Sequence, residues 1–204
     1  MTGKPDVRPS PLAFTVLCML AGGPLHPYAI QSRMKAWGKD RVVNVGQRAS
    51  LYKTIERLRA AGLVEVQKTE RDQRFPERTV YGLTDDGWRT GREWLTELLA
   101  VRRNEFPEFP AALSFLFELT PAEAAAALER RAERLRADVA ELDRELGDES
   151  GPPRLFLLET EYLRTVADAE RAWVEGIVDD LGAGRLRWSY DEIAEIAKHF
   201  TPPD

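Results

Sequence analysis

Cysteine and histidine are scarce in this chain of 204 residues, which has one cysteine, Cys18, and two histidines, His26 and His199. A single cysteine forms no intrachain disulfide, and we interpret Cys18, in an apolar segment, as a buried side chain in a reducing compartment. The histidines offer no spacing that suits zinc. Because a glycine-rich phosphate loop, a Gly-x-Ser-x-Gly elbow and a nucleophile with a paired base are also missing, we expect no cofactor and no enzymatic activity.

Long hydrophobic runs are missing as well. No segment is apolar for long enough to span a bilayer, and the start of the chain lacks the pattern of a secretory signal. With 43% hydrophobic residues the chain can nevertheless bury a core, and its length allows one or two domains. We therefore expect a cytoplasmic protein without a membrane partner.

The net charge of −5 is unevenly distributed along the chain. Residues 1–92 carry a net charge of +7, whereas the remaining residues carry −12. A cationic first part joined to an acidic second part indicates a molecule of which only the first part meets phosphate.

Residues 46–64 have the pattern of an amphipathic helix of about four turns. Leu51, Ile55 and Leu58 recur on one face, and Gly62 follows where glycine ends helices. Such a helix can enter the major groove of DNA with its N-terminal residues at base edges, although an ordinary surface helix would show the same pattern. The opposite face carries small side chains near the start of the helix, Ala49 and Ser50, and cationic side chains further along, Lys53 and Arg57.

Two further helices are predicted before this segment. The first covers residues 11–21, and the second begins at His26, which we interpret as a helix-start residue. Ile30, Met34 and Trp37 form the apolar face of the second helix. Since a short connection joins the second and third helices, the three together predict a helix-turn-helix.

A β-hairpin is predicted next, with strands at residues 63–69 and 78–83 and a charged tip at residues 70–77. A hairpin directly after a helix-turn-helix is a wing, and its arginines could contact a phosphate backbone or the adjacent minor groove. A solvated hairpin loop is the alternative. Thr84 then caps a fourth helix, in which Trp88 and Leu95 lie on one apolar face and Trp94 on a second edge.

The composition changes after residue 101, where a proline-containing linker, residues 102–110, and a short apolar helix, residues 111–119, precede a long helix. The long helix starts at Thr120-Pro121-x-Glu123, the pattern of a capping box. It carries a heptad seam of Leu128, Ala132, Leu135, Val139, Leu142 and Leu146.

A second long helix is expected to pack antiparallel against the first, and another copy of the chain is expected to cover what remains. Ser189-x-x-Glu192 predicts the start of a last short helix. The predicted packing face of the second long helix consists of Leu155, Leu158, Tyr162, Val166, Ala169, Trp173, Ile177 and Leu181.

Four motifs in the first part resemble, in their order, the winged helix-turn-helix domain of PadR-family transcriptional regulators. The resemblance covers about residues 11–100. It implies DNA binding, a C-terminal helical domain that mediates homodimerisation, and a small aromatic effector in a cavity near the dimer interface. The motifs are Gly23-Pro24-Leu25-His26-Pro27-Tyr28, Ser50-Leu51-Tyr52, Leu58-Arg59-Ala60-Ala61-Gly62-Leu63-Val64 and Val80-Tyr81-Gly82-Leu83-Thr84-Asp85-Asp86-Gly87.

We therefore predict a mainly α protein with a flexible arm at residues 1–10, a winged helix-turn-helix domain at residues 11–101 and an antiparallel, coiled-coil-like dimerisation domain at residues 102–204. The predicted function is a transcriptional regulator, a repressor, which binds an inverted-repeat operator in double-stranded DNA as a homodimer and is released by a small aromatic effector. The alternative is a winged-helix adaptor that binds proteins and never meets DNA.

The predicted site residues form three groups, none of them catalytic or metal-binding. DNA contacts are assigned to Gln47, Arg48, Ser50, Tyr52, Lys53, Arg57, Arg71, Arg74 and Arg78. Dimer contacts are assigned to Leu128, Leu135, Val139, Leu142, Leu146, Leu158, Tyr162 and Trp173. The effector pocket that the resemblance implies is assigned to Trp88, Trp94, Phe115, Phe156 and Tyr162.

Overall fold

The structure is a computed structural model that describes residues 9–44, 46–72 and 75–200; the side chains of residues 70–72, 75–78 and 200 lie outside the description. The chain divides into two compact units, residues 1–104 and residues 105–204. Most of the predicted arm, residues 1–8, lies outside the described residues.

The described part of the first unit contains four α-helices and one antiparallel hairpin. The helices are α1 (Pro11–Ala21), α2 (Pro27–Ala36), α3 (Arg48–Ala60) and α4 (Asp85–Ala100), and the strands are β1 (Val64–Asp72) and β2 (Phe75–Leu83). This order of elements, with a hairpin between the third and fourth helices, confirms the predicted winged helix-turn-helix.

Three of these helices begin at a side chain that accepts a hydrogen bond from a free backbone N–H group of the first turn. Ser10 Oγ accepts from the amide of Ala13 at 3.3 Å. His26 Nδ1 accepts from the amide of Ala29 at 3.0 Å, and Thr84 Oγ1 accepts from that of Gly87 at 3.0 Å. The predictions for His26 and Thr84 as helix-start residues are thus confirmed.

The core of the first unit lies between the three N-terminal helices, the base of the hairpin and the side of α4 that carries Trp94. The segment before α2 also joins the hairpin, because Leu25 and Tyr81 exchange two backbone hydrogen bonds of 2.9 Å each. The fully buried side chains of this core include Val16, Leu17, Ile30, Leu51, Ile55, Leu58 and Val64.

Two side chains predicted to be buried are exposed instead. Cys18 follows the buried Leu17 by one residue on α1, so it is rotated by about 100° towards the open side of the helix. Trp37 is 57% exposed because α2 ends at Ala36, one residue before it. The predictions for both side chains were therefore wrong.

The fourth helix and the hairpin also differ in part from the prediction. On α4 the edge with Trp94 is buried, whereas Trp88 and Leu95 are exposed in the first unit. The strands continue into the predicted tip, where Glu70 pairs with Arg78. Backbone pairing extends the ladder there because it does not depend on side-chain polarity.

The second unit is built around two long helices. Its α-helices are α5 (Glu108–Leu113), α6 (Pro121–Leu146), α7 (Leu158–Gly182) and α8 (Tyr190–Phe200). The predicted capping box of α6 is confirmed, since Thr120 and Glu123 bond each other's backbone amides. The corresponding bonds between Ser189 and Glu192 confirm the predicted start of α8. The predicted short helix at residues 111–119 begins earlier, at Glu108, and ends at Leu113.

The heptad seam of α6 is confirmed as a packing face. Leu128, Ala132, Leu135, Val139 and Leu142 are buried. Two side-chain bonds beside the seam give the relative direction of the helices. Thr160, near the start of α7, is bonded to Glu145 at the end of α6, and Glu175, further along α7, is bonded to Arg136, which is earlier on α6. The two long helices therefore pack antiparallel, as predicted.

The packing face predicted for α7 was right only in part: Leu181 is buried and Ile177 packs against the core, but the residues nearer the start of the helix are not the ones that α6 covers. The buried residues of α7 are Thr160, Val174 and Leu181, and Ala167 packs beside them at the same seven-residue spacing. A seven-residue spacing keeps these residues on one face of the helix, where they meet the seam of α6. The larger apolar side chains used for the prediction lie on another side of the helix and are about half exposed in one chain: Leu158, Tyr162, Val166 and Trp173.

Candidate nucleic-acid interface

The orientation of α3 is set by its apolar face. Leu51, Ile55 and Leu58 are at most 1% exposed, so the opposite face of the helix points into solvent. Lys53 and Arg57 lie on that exposed face. Within the described part of the chain neither has a hydrogen-bonded or ion-paired carboxylate, so both cations are available to an anionic partner.

The N-terminal end of α3 presents polar side chains. Gln47 occupies the N-cap position, but its side chain makes no capping bond. Instead, Ser50 Oγ donates to Gln47 Oε1 at 3.3 Å. An amide and a hydroxyl are groups that read base edges in a major groove.

Arg48 lies beside an aromatic pair that the sequence analysis did not assign to the site. The Arg48 guanidinium is 6.0 Å from the ring centre of Tyr28, which is 57% exposed. The Tyr28 ring in turn stacks on His26, with 6.2 Å between the ring centres. The His-x-Tyr spacing of the first family motif was the available signal, because it places Tyr28 in the first turn of α2.

Glu56 is the one acidic residue of α3, and its charge is compensated locally. Arg59 lies 2.8 Å from Glu56 Oε2, and the Tyr81 hydroxyl donates to Glu56 Oε1 at 3.0 Å. The hydrogen bond from Arg59, with a smaller contribution from Tyr81, lowers the pKa of Glu56. The carboxylate therefore stays charged and paired, and it does not cancel the charge of Lys53 or Arg57.

The hairpin is held close to the end of α3 by Thr84 and Gly87. Thr84 Oγ1 donates to the carbonyl of Gly62 at 2.8 Å, and the Thr84 amide donates to that of Leu63 at 3.2 Å. A Cβ on Gly87 would lie 2.0 Å from the Leu63 carbonyl oxygen. Only glycine therefore permits this close start of α4 against the base of the wing.

The predicted DNA contacts on α3 and at its N-cap are exposed or, for Ser50, partly exposed, whereas the side chains of those on the wing lie outside the description. Tyr52 is half exposed, and Gln47, Arg48, Lys53 and Arg57 are exposed. Arg74 lies outside the described residues, as do the side chains of Arg71 and Arg78; the backbones of Arg71 and Arg78 belong to β1 and β2.

The residues predicted for an effector pocket divide between the two units. Trp94 is a core side chain of the first unit, 7% exposed. Trp88 is exposed, and the Arg92 guanidinium is 5.3 Å from its ring centre. In the second unit Phe115 lines an open cavity of about 500 Å³, and Phe156 and Tyr162 are exposed.

Within the described residues, no group of three or more His, Cys, Asp or Glu side chains could hold a metal ion. None of the described helices combines the length and the apolarity that crossing a membrane requires.

Comparison with known proteins finds a family model that matches most of the first unit. Residues 16–93 match the model of the family described as transcriptional regulator PadR-like. No curated protein sequence matches the chain. The match covers α3, the hairpin and most of α4, which are the elements of the candidate interface.

Three solved structures of relatives share the fold. Bacillus subtilis PadR in complex with operator DNA is 20% identical in sequence and has a TM-score of 0.67. The superposition covers 83% of this chain and 98% of that chain. Bacillus subtilis PadR in complex with p-coumaric acid is 18% identical, with a TM-score of 0.62 and coverages of 86% and 99%. The Vibrio cholerae virulence activator AphA is 18% identical, with a TM-score of 0.63 and coverages of 84% and 98%. These structures show that the chain shares the fold of PadR, and residues 16–93 match the model of the PadR-like family of transcriptional regulators.

Proposed function

We propose that this protein represses transcription by binding an inverted-repeat operator as a homodimer. The observation that carries the proposal is the exposed face of α3, on which Lys53 and Arg57 point away from the core with no carboxylate partner among the described residues. Bacillus subtilis PadR, which has the same fold, is in complex with operator DNA. The proposed role is binding, not catalysis, and the proposed location is the cytoplasm.

In this proposal α3 is the recognition helix. Gln47, Arg48 and Ser50 at its start would contact base edges, because amide, guanidinium and hydroxyl groups match the donors and acceptors of the major groove. Lys53 and Arg57 would follow the groove along the helix. Phosphate contacts are proposed for Tyr52 and the wing residues Arg71, Arg74 and Arg78.

The dimer is proposed to form through the exposed apolar face of α7. Leu158, Tyr162, Val166 and Trp173 are each more than 40% exposed in one chain, and a continuous apolar stripe of this kind favours a partner. Of the α6 residues that the sequence assigned to the dimer, Leu128, Leu135, Val139 and Leu142 are buried within one chain, and Leu146 is partly buried. We therefore assign them to packing within the protomer.

A twofold dimer requires an operator with twofold symmetry. Its half-sites would be separated by about one helical turn of DNA, roughly 34–36 Å, so that both copies of α3 reach a major groove. A Tyr162→Asp variant tests the interface, since sedimentation should then show a monomer with unchanged helix content. A dimer of unchanged stability would remove the α7 face from the interface.

A small aromatic effector is proposed to release the DNA. It would bind more tightly to the conformation in which the two recognition helices are wrongly spaced, and so shift the population. Bacillus subtilis PadR is in complex with p-coumaric acid, which makes p-coumarate a reasonable first probe. The proposed contacts are Trp88, Phe115, Phe156 and Tyr162; quenching of tryptophan fluorescence by p-coumarate, and its loss in Trp88→Phe, would test the first of them.

The test of DNA binding is a gel shift with the DNA upstream of the protein's own coding sequence, together with selection from random duplexes. A complex that survives excess calf-thymus DNA and weakens steeply with salt would support the proposal. Failure of both experiments with a confirmed dimer at low salt would favour an adaptor. A reporter assay gives the sign of regulation, which is open to test because the related AphA is described as an activator.

A further inference from the structure

Tyr81 is the residue at which three parts of the winged helix meet. It lies on β2, paired with Val66 of β1, and exchanges two backbone hydrogen bonds of 2.9 Å with Leu25, just before α2. Its side chain is 7% exposed, and its hydroxyl donates to Glu56 Oε1 of α3 at 3.0 Å. One side chain thus connects the wing to the recognition helix.

The two carboxylate oxygens of Glu56 accept hydrogen bonds from different elements, one from α3 and one from the wing. Arg59, one turn further along α3, pairs with Oε2 at 2.8 Å and leaves Oε1 for Tyr81. Burial, with a further contribution from the bond to Glu56, raises the pKa of Tyr81. The hydroxyl therefore remains a donor to a charged acceptor, which is the stronger class of hydrogen bond.

The base of the hairpin is attached elsewhere, by the bonds of Thr84 to the carbonyl groups of Gly62 and Leu63. Those bonds hold the end of β2 where α4 begins. The bond from Tyr81 to Glu56 acts three residues before Thr84, on the side towards the tip of the wing. The two backbone bonds to Leu25 hold the same point of β2 to the segment before α2, and the bond to Glu56 adds a direct attachment to α3.

We propose that Tyr81 and Glu56 are positioning residues that fix the wing at one angle to α3, so that both elements reach DNA together. This inference rests on the proposed DNA binding. Neither residue needs to touch DNA, because Tyr81 is buried and the charge of Glu56 is taken up by Arg59.

The mechanism separates specific from non-specific binding. Replacing the Tyr81 hydroxyl leaves every charge in place, so contact with phosphates of any sequence continues. Without the hydroxyl, the angle between the wing and α3 has to be fixed when the protein binds its specific sequence, because both elements must then fit that sequence. Fixing this angle costs free energy and weakens specific binding.

The test compares full-length wild type with Tyr81→Phe, Glu56→Ala and the double variant. The probes are the tightest duplex from random selection with the wild type, and calf-thymus DNA. We expect Tyr81→Phe to weaken binding of the selected duplex by about tenfold, the effect of one hydrogen bond to a charged group. Its affinity for calf-thymus DNA should not change. In the Glu56→Ala background, Tyr81→Phe should have no further effect.

Tyr190→Phe is the matched control, because it removes a tyrosine hydrogen bond in the second unit, from the hydroxyl to the Glu118 carbonyl at 3.1 Å. It should change neither DNA affinity. Equal losses for both DNA probes in Tyr81→Phe, or no loss for the selected duplex, would overturn the proposal.

A measurement without DNA separates this inference from the proposed function. Hydrogen exchange at the amides of Leu25 and Tyr81 should become several-fold faster in Tyr81→Phe than in Tyr190→Phe, because the wing is less firmly held. Unchanged exchange would overturn the positioning role whatever the DNA result. If exchange rises but the wild type prefers no duplex, the proposed function fails while the attachment of the wing to α3 is supported.

Discussion

The exposed face of α3 and the sides of the α6–α7 pair are both rich in arginine or lysine, but in the α6–α7 pair several of these cations are bonded to carboxylates of the same or the facing helix. Between and along α6 and α7, Arg136 pairs with Glu175, Arg164 with Asp143, and Arg171 with Asp168. On α3, Lys53 and Arg57 have no such partners among the described residues, whereas Arg59 is paired. The charge of a paired cation is offset by its own carboxylate, whereas Lys53 and Arg57 keep their charge for an anionic partner such as DNA phosphate.

The comparison also explains the acidic charge of the whole chain. The surplus of acids lies after residue 92, where many of them face arginines along two helices. The cationic part is small and local. Net charge alone would therefore have hidden the candidate interface.

The largest expected effect tests whether apolar packing or ion pairs hold α6 to α7. Val174 is fully buried on α7, and Val174→Asp should cost about 3–5 kcal/mol because it buries an unpaired carboxylate. Arg136→Ala should cost no more than about 1 kcal/mol, since its pair with Glu175 is partly exposed. Urea unfolding of the two variants provides the measurement. Equal losses would mean that the ion pairs, and not the seam, carry the stability.

The next effect concerns the unpaired cations of α3. Lys53→Ala should weaken operator binding by about 1–3 kcal/mol if Lys53 reads a base. If it contacts only phosphate, binding to all sequences should weaken equally and the salt slope should fall by about one. Arg187→Ala is a control that removes one exposed cation from the second unit. A Lys53→Ala affinity equal to that of the control would remove Lys53 from the interface.

A smaller effect is expected at Tyr28, which lies under the guanidinium of Arg48 at 6.0 Å. Tyr28→Ala should weaken operator binding by about 0.5–1 kcal/mol, because Arg48 loses an aromatic surface that orients it. Tyr28→Phe keeps the ring and should bind as the wild type does. A loss in Tyr28→Phe as large as that in Tyr28→Ala, measured by titration of the selected duplex, would show that the hydroxyl matters instead of the ring.

The smallest effect is the pH dependence that Glu56 contributes to stability. Since folding lowers the pKa of Glu56, its contribution is present above the unfolded value and is lost as pH falls from that value through the folded one. Because Glu56 is about half exposed, we expect at most about 0.5 kcal/mol. The unfolding free energy of Glu56→Gln should therefore fall less steeply below about pH 4.5 than that of the wild type. Parallel curves would contradict the assignment.

Prediction from the sequence succeeded where the signal is local. The repeat of Leu51, Ile55 and Leu58 oriented α3 correctly, and the capping patterns at Thr120 and Ser189 located the starts of α6 and α8. Each of these signals is contained within a few residues of one helix, so no knowledge of the partner is needed.

Prediction failed where two faces of one helix are both apolar. On α7 the large side chains indicated one face, but α6 packs on the face with Thr160, Ala167 and Val174. On α4 the sequence could not distinguish Trp88 from Trp94, of which only Trp94 is buried. Hydrophobicity alone does not tell which of two apolar faces of a helix its neighbour covers.

The sequence by itself determined the order of the helices and the hairpin, the ends of most helices and the face of α3 that points outward, because periodicity and capping are properties of neighbouring residues. Only the tertiary structure decided that Tyr81 meets Glu56, that Arg48 lies beside Tyr28, and which face of α7 is left open. These contacts join residues from different elements, and no local pattern specifies which side chains the folded backbone brings together.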